Sequence, residues 1–317
     1  MANEILDVDL LAFESGDASA RAAVVDGVMA SLATGFVFTA HDLSEGLLDD
    51  AYGKLGEFFS SSDDEKATYE VPGSFGQTGY TGLLVETAAS SEVADWKEML
   101  NWGAPIPEKH PLKAAFPFRY NPPVLPEATV PGIEAVLLDF HSKIFEIQRR
   151  FLRIIAVGLG CAESFFDEML RDGPTLTRAI RYPPMPDAPS GQHVWAAAHD
   201  DINLITALPR ATAKGLQVQT DSGWVDAVPP DGHMVINTGM MLERLTNGVL
   251  PPGTHRVVGD PSEPGERLSV VQFAHPTPWT ILTPIPTLVT EENPLAYSTL
   301  SASSALQQVL WDINLLG

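Results

Sequence analysis

Apolar positions in the first half of the chain recur at helical spacing. From Ala18 to Leu32 the sequence is rich in Ala and Val, and Asp17 stands where a side chain could accept from the first free helical amides. Ser44 to Phe59 follows a similar pattern. The clearest helix runs from about Gly132 to Val157. Its residues Ile133, Leu137, Phe140, Ile144, Ile147, Phe151 and Ile154 step alternately by four and three, one continuous apolar stripe. Gly158 and Gly160 then stop it. Val71 to Pro126 is looser, with Gly and Pro and no helical period. It reads either as a segment covering a site or as plain connection.

After about residue 170 short β-prone segments recur: Thr175 to Tyr182, Ile202 to Leu208, Gly215 to Thr220, Trp224 to Val228, Met234 to Asn237, Thr254 to Val258 and Leu268 to Phe273. Turn signals separate them, including Asp221-Ser222-Gly223, Pro229-Pro230-Asp231-Gly232 and Asn247-Gly248. Strands at this spacing predict an antiparallel sandwich or barrel. A last helix is expected over Ser303 to Leu315. No repeat or low-complexity linker divides the chain, so the helices read as layers on one β core. The expectation is a mainly β fold with flanking helices and a single domain over 1–317. Within it, about 1–170 is mainly helical, about 171–300 is the β core and about 301–317 is a C-terminal helix.

Composition narrows the function classes. With 44% hydrophobic and 19% charged residues, the chain has the make-up of a folded globular protein. Nineteen basic against 41 acidic residues give a net charge of -22. Such a surface repels phosphate backbones and anionic lipid, so neither nucleic acid nor a membrane is an expected partner. An arginine held inside the fold would instead be a local attraction for an anion. Cys161 is the lone cysteine, which excludes an internal disulfide and a thiolate cluster. The opening MANEILDVDLL carries acids rather than a basic region, which argues against a secretory leader. Phe151 to Cys161, the most apolar stretch, is interrupted by Arg153 and too short to span a bilayer. A cytoplasmic protein acting on a small molecule is expected; oligomeric state is not readable from these features.

Among eight histidines, only His199 has an acid two residues on, in His199-Asp200-Asp201. By itself this pair is a weak signal. The following Asn203-Leu204-Ile205-Thr206 is β-prone, and side chains alternate across a strand. If the segment is extended, His199 and Asp201 share a face and Asp200 points away; if it is turned, that choice fails. His255 opens another candidate strand, His255-Arg256-Val257-Val258, and could supply a third ligand. Two imidazoles and one carboxylate suit iron(II) and leave positions open for other ligands, although zinc can use the same ligand types. In Arg267-Leu268-Ser269, Arg267 and Ser269 share a strand face. A guanidinium beside a hydroxyl is a good receptor for a carboxylate. Tyr182 could add a phenol. The plain alternative has Arg267 paired with a surface acid and Tyr182 packed in the core.

Taken together, these motifs resemble the isopenicillin N synthase-like family of iron(II)- and 2-oxoglutarate-dependent dioxygenases, over nearly the whole chain. Gly35-Phe36-Val37 and Asp95-Trp96-Lys97-Glu98 are similar to its helical N-terminal region. His199 to Asp201 resembles its HxD motif, and Gly215-Leu216-Gln217-Val218 with Gly223-Trp224-Val225 its next hairpin. Asn237-Thr238-Gly239 and Leu242 to Gly248 resemble the stretch before the distal histidine, here His255, and Arg267-Leu268-Ser269 the RxS motif. The resemblance implies a double-stranded β-helix (jelly-roll) core. It implies iron at His199, Asp201 and His255, with Arg267 and Ser269 on the distal carboxylate of 2-oxoglutarate and Tyr182 beside it. One departure stands out: Ile180 occupies a position where family members often carry asparagine.

The implied activity consumes dioxygen and 2-oxoglutarate, releases succinate and carbon dioxide, and hydroxylates, desaturates or cyclises a small organic substrate. Asn203, Phe273 and Tyr80 are candidate pocket residues, each equally readable as structural. His193 and Trp195 could also reach the site. His141, His233 and His275 are read as packing residues. Three rivals remain: an iron oxidase of the isopenicillin N synthase type that uses no 2-oxoglutarate, a non-catalytic jelly-roll binding protein and, third, a zinc hydrolase.

Overall fold

In the computed structural model, which describes residues 4–74, 76–88, 90–259 and 265–312, the β core consists of two packed sheets. Its strands are β1 (Asp7–Asp9), β2 (Phe36–Ala40), β3 (Gly79–Thr81), β4 (Glu98–Gly103), β5 (Leu176–Tyr182), β6 (Ala196–His199), β7 (Ile205–Ala211), β8 (Leu216–Thr220), β9 (Gly223–Asp226), β10 (His233–Thr238), β11 (His255–Val257) and β12 (Arg267–Ala274). The major sheet has the order β1-β2-β10-β7-β12-β5-β4-β3, and the minor sheet β6-β11-β8-β9. Pairing is antiparallel throughout these two sheets except between β1 and β2. Inner-face residues of both sheets, among them Phe36, Ile180, Trp195, Leu216, Val235 and Val257, form one buried cluster. This is the expected jelly roll.

Each of the seven segments read as β-prone overlaps a strand, with ends displaced by a few residues. The first half is less helical than its pattern suggests, because it contributes β1 to β4 to the major sheet. Phe36–Thr39 is buried throughout, so β2 has no in–out alternation to read. In β4, buried Glu98 and Asn101 interrupt the apolar pattern, and their partners come from distant parts of the chain.

The helices cover the outer face of the major sheet. Asp17 caps the Ala18–Ser31 helix, its Oδ1 accepting from the Ser19 and Ala20 amides at 2.9 Å. The Ile133–Gly158 helix buries its entire apolar stripe against the sheet, and each such side chain contributes roughly 1.5–3 kcal/mol. From the same helix, Gln148 Nε2 donates to the carbonyls of Ile205 and Gln272, pinning β7 and β12 together. The last helix spans Ala302–Asp312; the remainder expected to Leu315 lies outside the described residues. Among the described residues, no helix is long and apolar enough to cross a membrane.

Candidate active site

His199 ends β6 and His255 begins β11, and the two are direct partners in the antiparallel register. Their ring centroids lie 4.4 Å apart. His199 Nδ1 donates to the Ala197 carbonyl and His255 Nδ1 to the Gly253 carbonyl, both at 2.8 Å. A carbonyl only accepts, so each Nδ1 carries the hydrogen and each Nε2 keeps a free lone pair. Asp201 lies just beyond β6, where the strand has given way to a turn, yet its carboxylate still meets the imidazoles. One ligand atom from each of His199, Asp201 and His255 lies within 4.8 Å of the others. Asp200 turns aside, its Oδ1 accepting from Thr254 Oγ1 at 2.6 Å.

Electrostatics suit a cation at this point. Burial pulls the His199 imidazole down to about 4, with His255 adding to the effect, so the ring is neutral at pH 7. Burial pushes the Asp201 carboxyl up, and the two imidazoles pull the other way. Hydrogen bonds to Asp201 Oδ2 from Thr206 (2.5 Å) and Asn237 (2.8 Å) add to them, and the group stays below the usual carboxylate range. Two imidazoles beside an ionised carboxylate, all three facing one chamber, fit a divalent metal such as iron(II).

That chamber continues to Tyr182, Arg267 and Ser269. Arg267 is 1% exposed and pairs with Tyr182 across β12 and β5. Its Nη1 donates to Ser269 Oγ at 2.7 Å, its Nε to the Ala213 carbonyl at 3.1 Å, and its guanidinium lies 5.2 Å from the Tyr182 ring centroid. Among the described residues no carboxylate forms an ion pair with it, so the reading that paired Arg267 with a surface acid is replaced. A buried, acid-free guanidinium beside a hydroxyl fits the carboxylate of a bound anion.

A second, wider cavity of about 590 Å³ opens from the metal ligands. Phe273 lines both spaces. Two other candidate pocket residues are corrected. Asn203 is fully buried and lines neither space; its Nδ2 donates to Thr206 Oγ1 (2.9 Å) and the Ile205 carbonyl (3.0 Å). The chain between Asp201 and β7 is turned, so strand alternation does not carry from Asp201 to Asn203. Tyr80 packs edge-on to Phe58, and its hydroxyl donates to the buried Glu98, which also binds Lys66 and Arg181. His193 and Trp195 are likewise held away from both spaces, by the Ala94 and Pro183 carbonyls. Of the remaining histidines, His141 is bonded to Thr177 and His233 to Asp7, whereas His275 lines the wide cavity.

Sequence reasoning missed a charged wall in that cavity. Lys97 Nζ lies 2.8 Å from Asp95 Oδ2 and 3.2 Å from Glu86 Oε2, and Arg178 Nη1 lies 3.5 Å from Glu86 Oε1. Burial pushes Glu86 up, but Arg178 and Lys97 outweigh it and bring its carboxyl down to about 2. Arg178 was findable: it shares a face of β5 with Ile180 and Tyr182.

A jelly roll with two imidazoles and one carboxylate on a chamber ending in a buried arginine defines a mononuclear non-haem metal oxygenase. Residues 174–276 match the 2OG-Fe(II) oxygenase superfamily, and residues 5–128 match the family described as non-haem dioxygenase in morphine synthesis N-terminal. A solved 2OG-Fe(II) oxygenase family protein from Caulobacter crescentus is 32% identical, with a TM-score of 0.86, covering 98% of this chain and 100% of that one. Mugineic-acid 3-dioxygenase of Hordeum vulgare is 29% identical over 82% of this chain and 72% of its own. Isopenicillin N synthase of Lysobacter lactamgenus is 34% identical over 47% of each chain. A Neurospora crassa protein solved with alpha-KG is 22% identical but shares the fold, with a TM-score of 0.83 over 96% of this chain and 95% of that one. The chain belongs to the isopenicillin N synthase-like family of 2OG-Fe(II) oxygenases. It is an iron(II)- and 2-oxoglutarate-dependent dioxygenase, an oxidoreductase.

Proposed function

We propose that His199 and His255, each through Nε2, and the Asp201 carboxylate hold iron(II). In this reading Arg267 and Ser269 receive the distal carboxylate of 2-oxoglutarate, with Tyr182 against it. A small organic substrate enters through the 590 Å³ cavity and meets the metal beside Phe273. The observation that carries the reading is Arg267: a buried cation, free of acid partners among the described residues, in the same chamber as the three ligands. One continuous apolar core, from Val8 through the long helix to Leu306, supports a single dioxygenase domain. The lone cysteine suits a reducing compartment, and we place the protein in the cytoplasm.

When bound, iron(II) and 2-oxoglutarate supply the oxidising chemistry, in which dioxygen is consumed, succinate and carbon dioxide leave, and a substrate C–H position is oxidised. The protein's own part is positioning and exclusion of water. The Ala197 and Gly253 carbonyls fix the two imidazole rings, and Thr206 and Asn237 orient Asp201. Which C–H position faces the metal decides among hydroxylation, desaturation and ring closure.

Anaerobic titration with iron(II) and then 2-oxoglutarate tests this directly. A weak visible charge-transfer band should grow to saturation. In Arg267→Leu the band should need about 100-fold more 2-oxoglutarate, because a buried charge-assisted pair is removed. No band from iron-loaded wild-type protein would overturn the cosubstrate role. Substrate oxidation without coupled succinate release would then favour an oxidase of the isopenicillin N synthase type.

A further inference from the structure

The wide cavity carries two polar side chains whose donors are not used up by the fold. Arg178 Nε donates to Asn101 Oδ1 at 2.7 Å and Nη2 to the Gly76 carbonyl at 3.3 Å. Its Nη1 only approaches Glu86, at 3.5 Å, without a hydrogen bond. The Arg178 guanidinium lies 5.6 Å from the Phe273 ring centroid. His275 follows Phe273 by two residues, just past the end of β12. It is 9% exposed, lines the same cavity, and makes no side-chain hydrogen bond among the described residues. Burial, helped by the charge of Arg119, pulls its imidazole down to about 3, so the ring is neutral and offers one donor and one acceptor. Polar side chains on a cavity wall whose hydrogen-bonding capacity the fold leaves open can be completed by a ligand bound there.

Charge decides what kind of ligand. The two cations of the cavity wall, Lys97 and Arg178, already face two carboxylates, Asp95 and Glu86. Arg119 does not line the cavity. A substrate carboxylate placed on this wall would be an uncompensated buried charge, whereas a neutral oxygen acceptor would be welcome. The remaining wall is mixed: Leu176, Ile202, Met240, Leu306 and Val309 are apolar, and Gln77, Thr87, Ser90, Asp200 and Thr254 are polar.

We infer that Arg178 and His275 recognise a neutral carbonyl oxygen of the substrate, as in an amide, lactam or ketone, beside Phe273, with an apolar body against the apolar side chains of the remaining wall. This rests on the reading of the cavity as the substrate entrance. It makes Arg178 and His275 specificity-determining residues of the dioxygenase.

The test is a fragment screen by ligand-observed NMR on protein loaded anaerobically with iron(II) and 2-oxoglutarate. The fragments form matched sets: cyclic amides and ketones, the corresponding carboxylates, and the hydrocarbons without oxygen. Neutral carbonyl fragments should dominate the hits and bind about tenfold or more weakly to Arg178→Leu and to His275→Phe. The charge-transfer band of the iron and 2-oxoglutarate complex should be retained in both variants. Its loss in wild type would sink the metal-site reading, not this one. His275→Phe conserves bulk, so it covers the case in which Arg178→Leu fails to fold. Hits dominated by carboxylates or hydrocarbons, equal binding to wild type and His275→Phe, or no hits at all would overturn the inference.

Discussion

Thr206 donates its hydroxyl hydrogen to Asp201 Oδ2 over 2.5 Å, while the same hydroxyl accepts from Asn203 Nδ2 at 2.9 Å. Asn203 therefore belongs beneath the metal centre, as the anchor of the residue that orients a ligand. Thr206→Val keeps the volume and removes the hydroxyl. Iron(II) affinity, measured by competition with a chromophoric chelator, should fall about 10- to 100-fold with the fold intact.

Asp200 offers the matching control. Its carboxylate is bonded to Thr254 and lies outside the ligand set. Asp200→Asn should leave iron(II) affinity in the same competition assay within about twofold of wild type, since it deletes none of the metal's ligands. A loss as large as that of Asp201→Asn would mean the two carboxylates have been assigned the wrong way round.

Acid should weaken the fold through Glu86. Its carboxyl titrates near 4.5 when unperturbed and is brought to about 2 in the native protein, so the native state binds its proton more weakly than the unfolded chain. The resulting stabilisation is fully present above about pH 4.5 and is lost as pH falls towards 2. It amounts to about 3 kcal/mol by linkage, as an order of magnitude. Urea unfolding of wild type and Glu86→Gln should therefore differ at pH 7 and converge near pH 2. A difference independent of pH would contradict the ion-pair origin.

Tyr80 and Glu98 separate stability from catalysis. Tyr80→Phe removes one hydrogen bond to Glu98 and should cost about 1–2 kcal/mol while leaving the 2-oxoglutarate titration unchanged. Glu98→Ala removes the buried partner of Lys66 and Arg181, leaving each only an exposed carboxylate, Asp63 and Glu266, and should cost more than Tyr80→Phe does. A change in 2-oxoglutarate affinity in Tyr80→Phe would return Tyr80 to the site.

The second half of the fold was legible because its short segments are β-prone and its turns carry Gly, Pro, Asn and Asp. The long helix was legible from its unbroken stripe. β2 and β4 were not, since one is buried on both faces and the other hides charged and amide groups satisfied by remote residues. At the site, the two-residue spacings His199/Asp201 and Arg267/Ser269 were readable as shared faces. Asn203 was misplaced because the chain turns between Asp201 and Ile205. His275 could have been found by extending the odd-numbered face of β12 from Arg267 through Ser269, Val271 and Phe273. Glu86 and Lys97 could not: only the folded chain brings the 86 and 97 side chains onto one wall with Arg178.

His199 and His255 come from strands far apart in sequence, and their meeting is what makes a metal centre possible. Iron content after anaerobic reconstitution and removal of loose metal tests it most directly. Wild-type protein should hold about one iron per chain, and His255→Ala, still folded by circular dichroism, should hold essentially none. Full iron retention in that variant, or a folded wild type that takes up no iron(II), would contradict the three-ligand site.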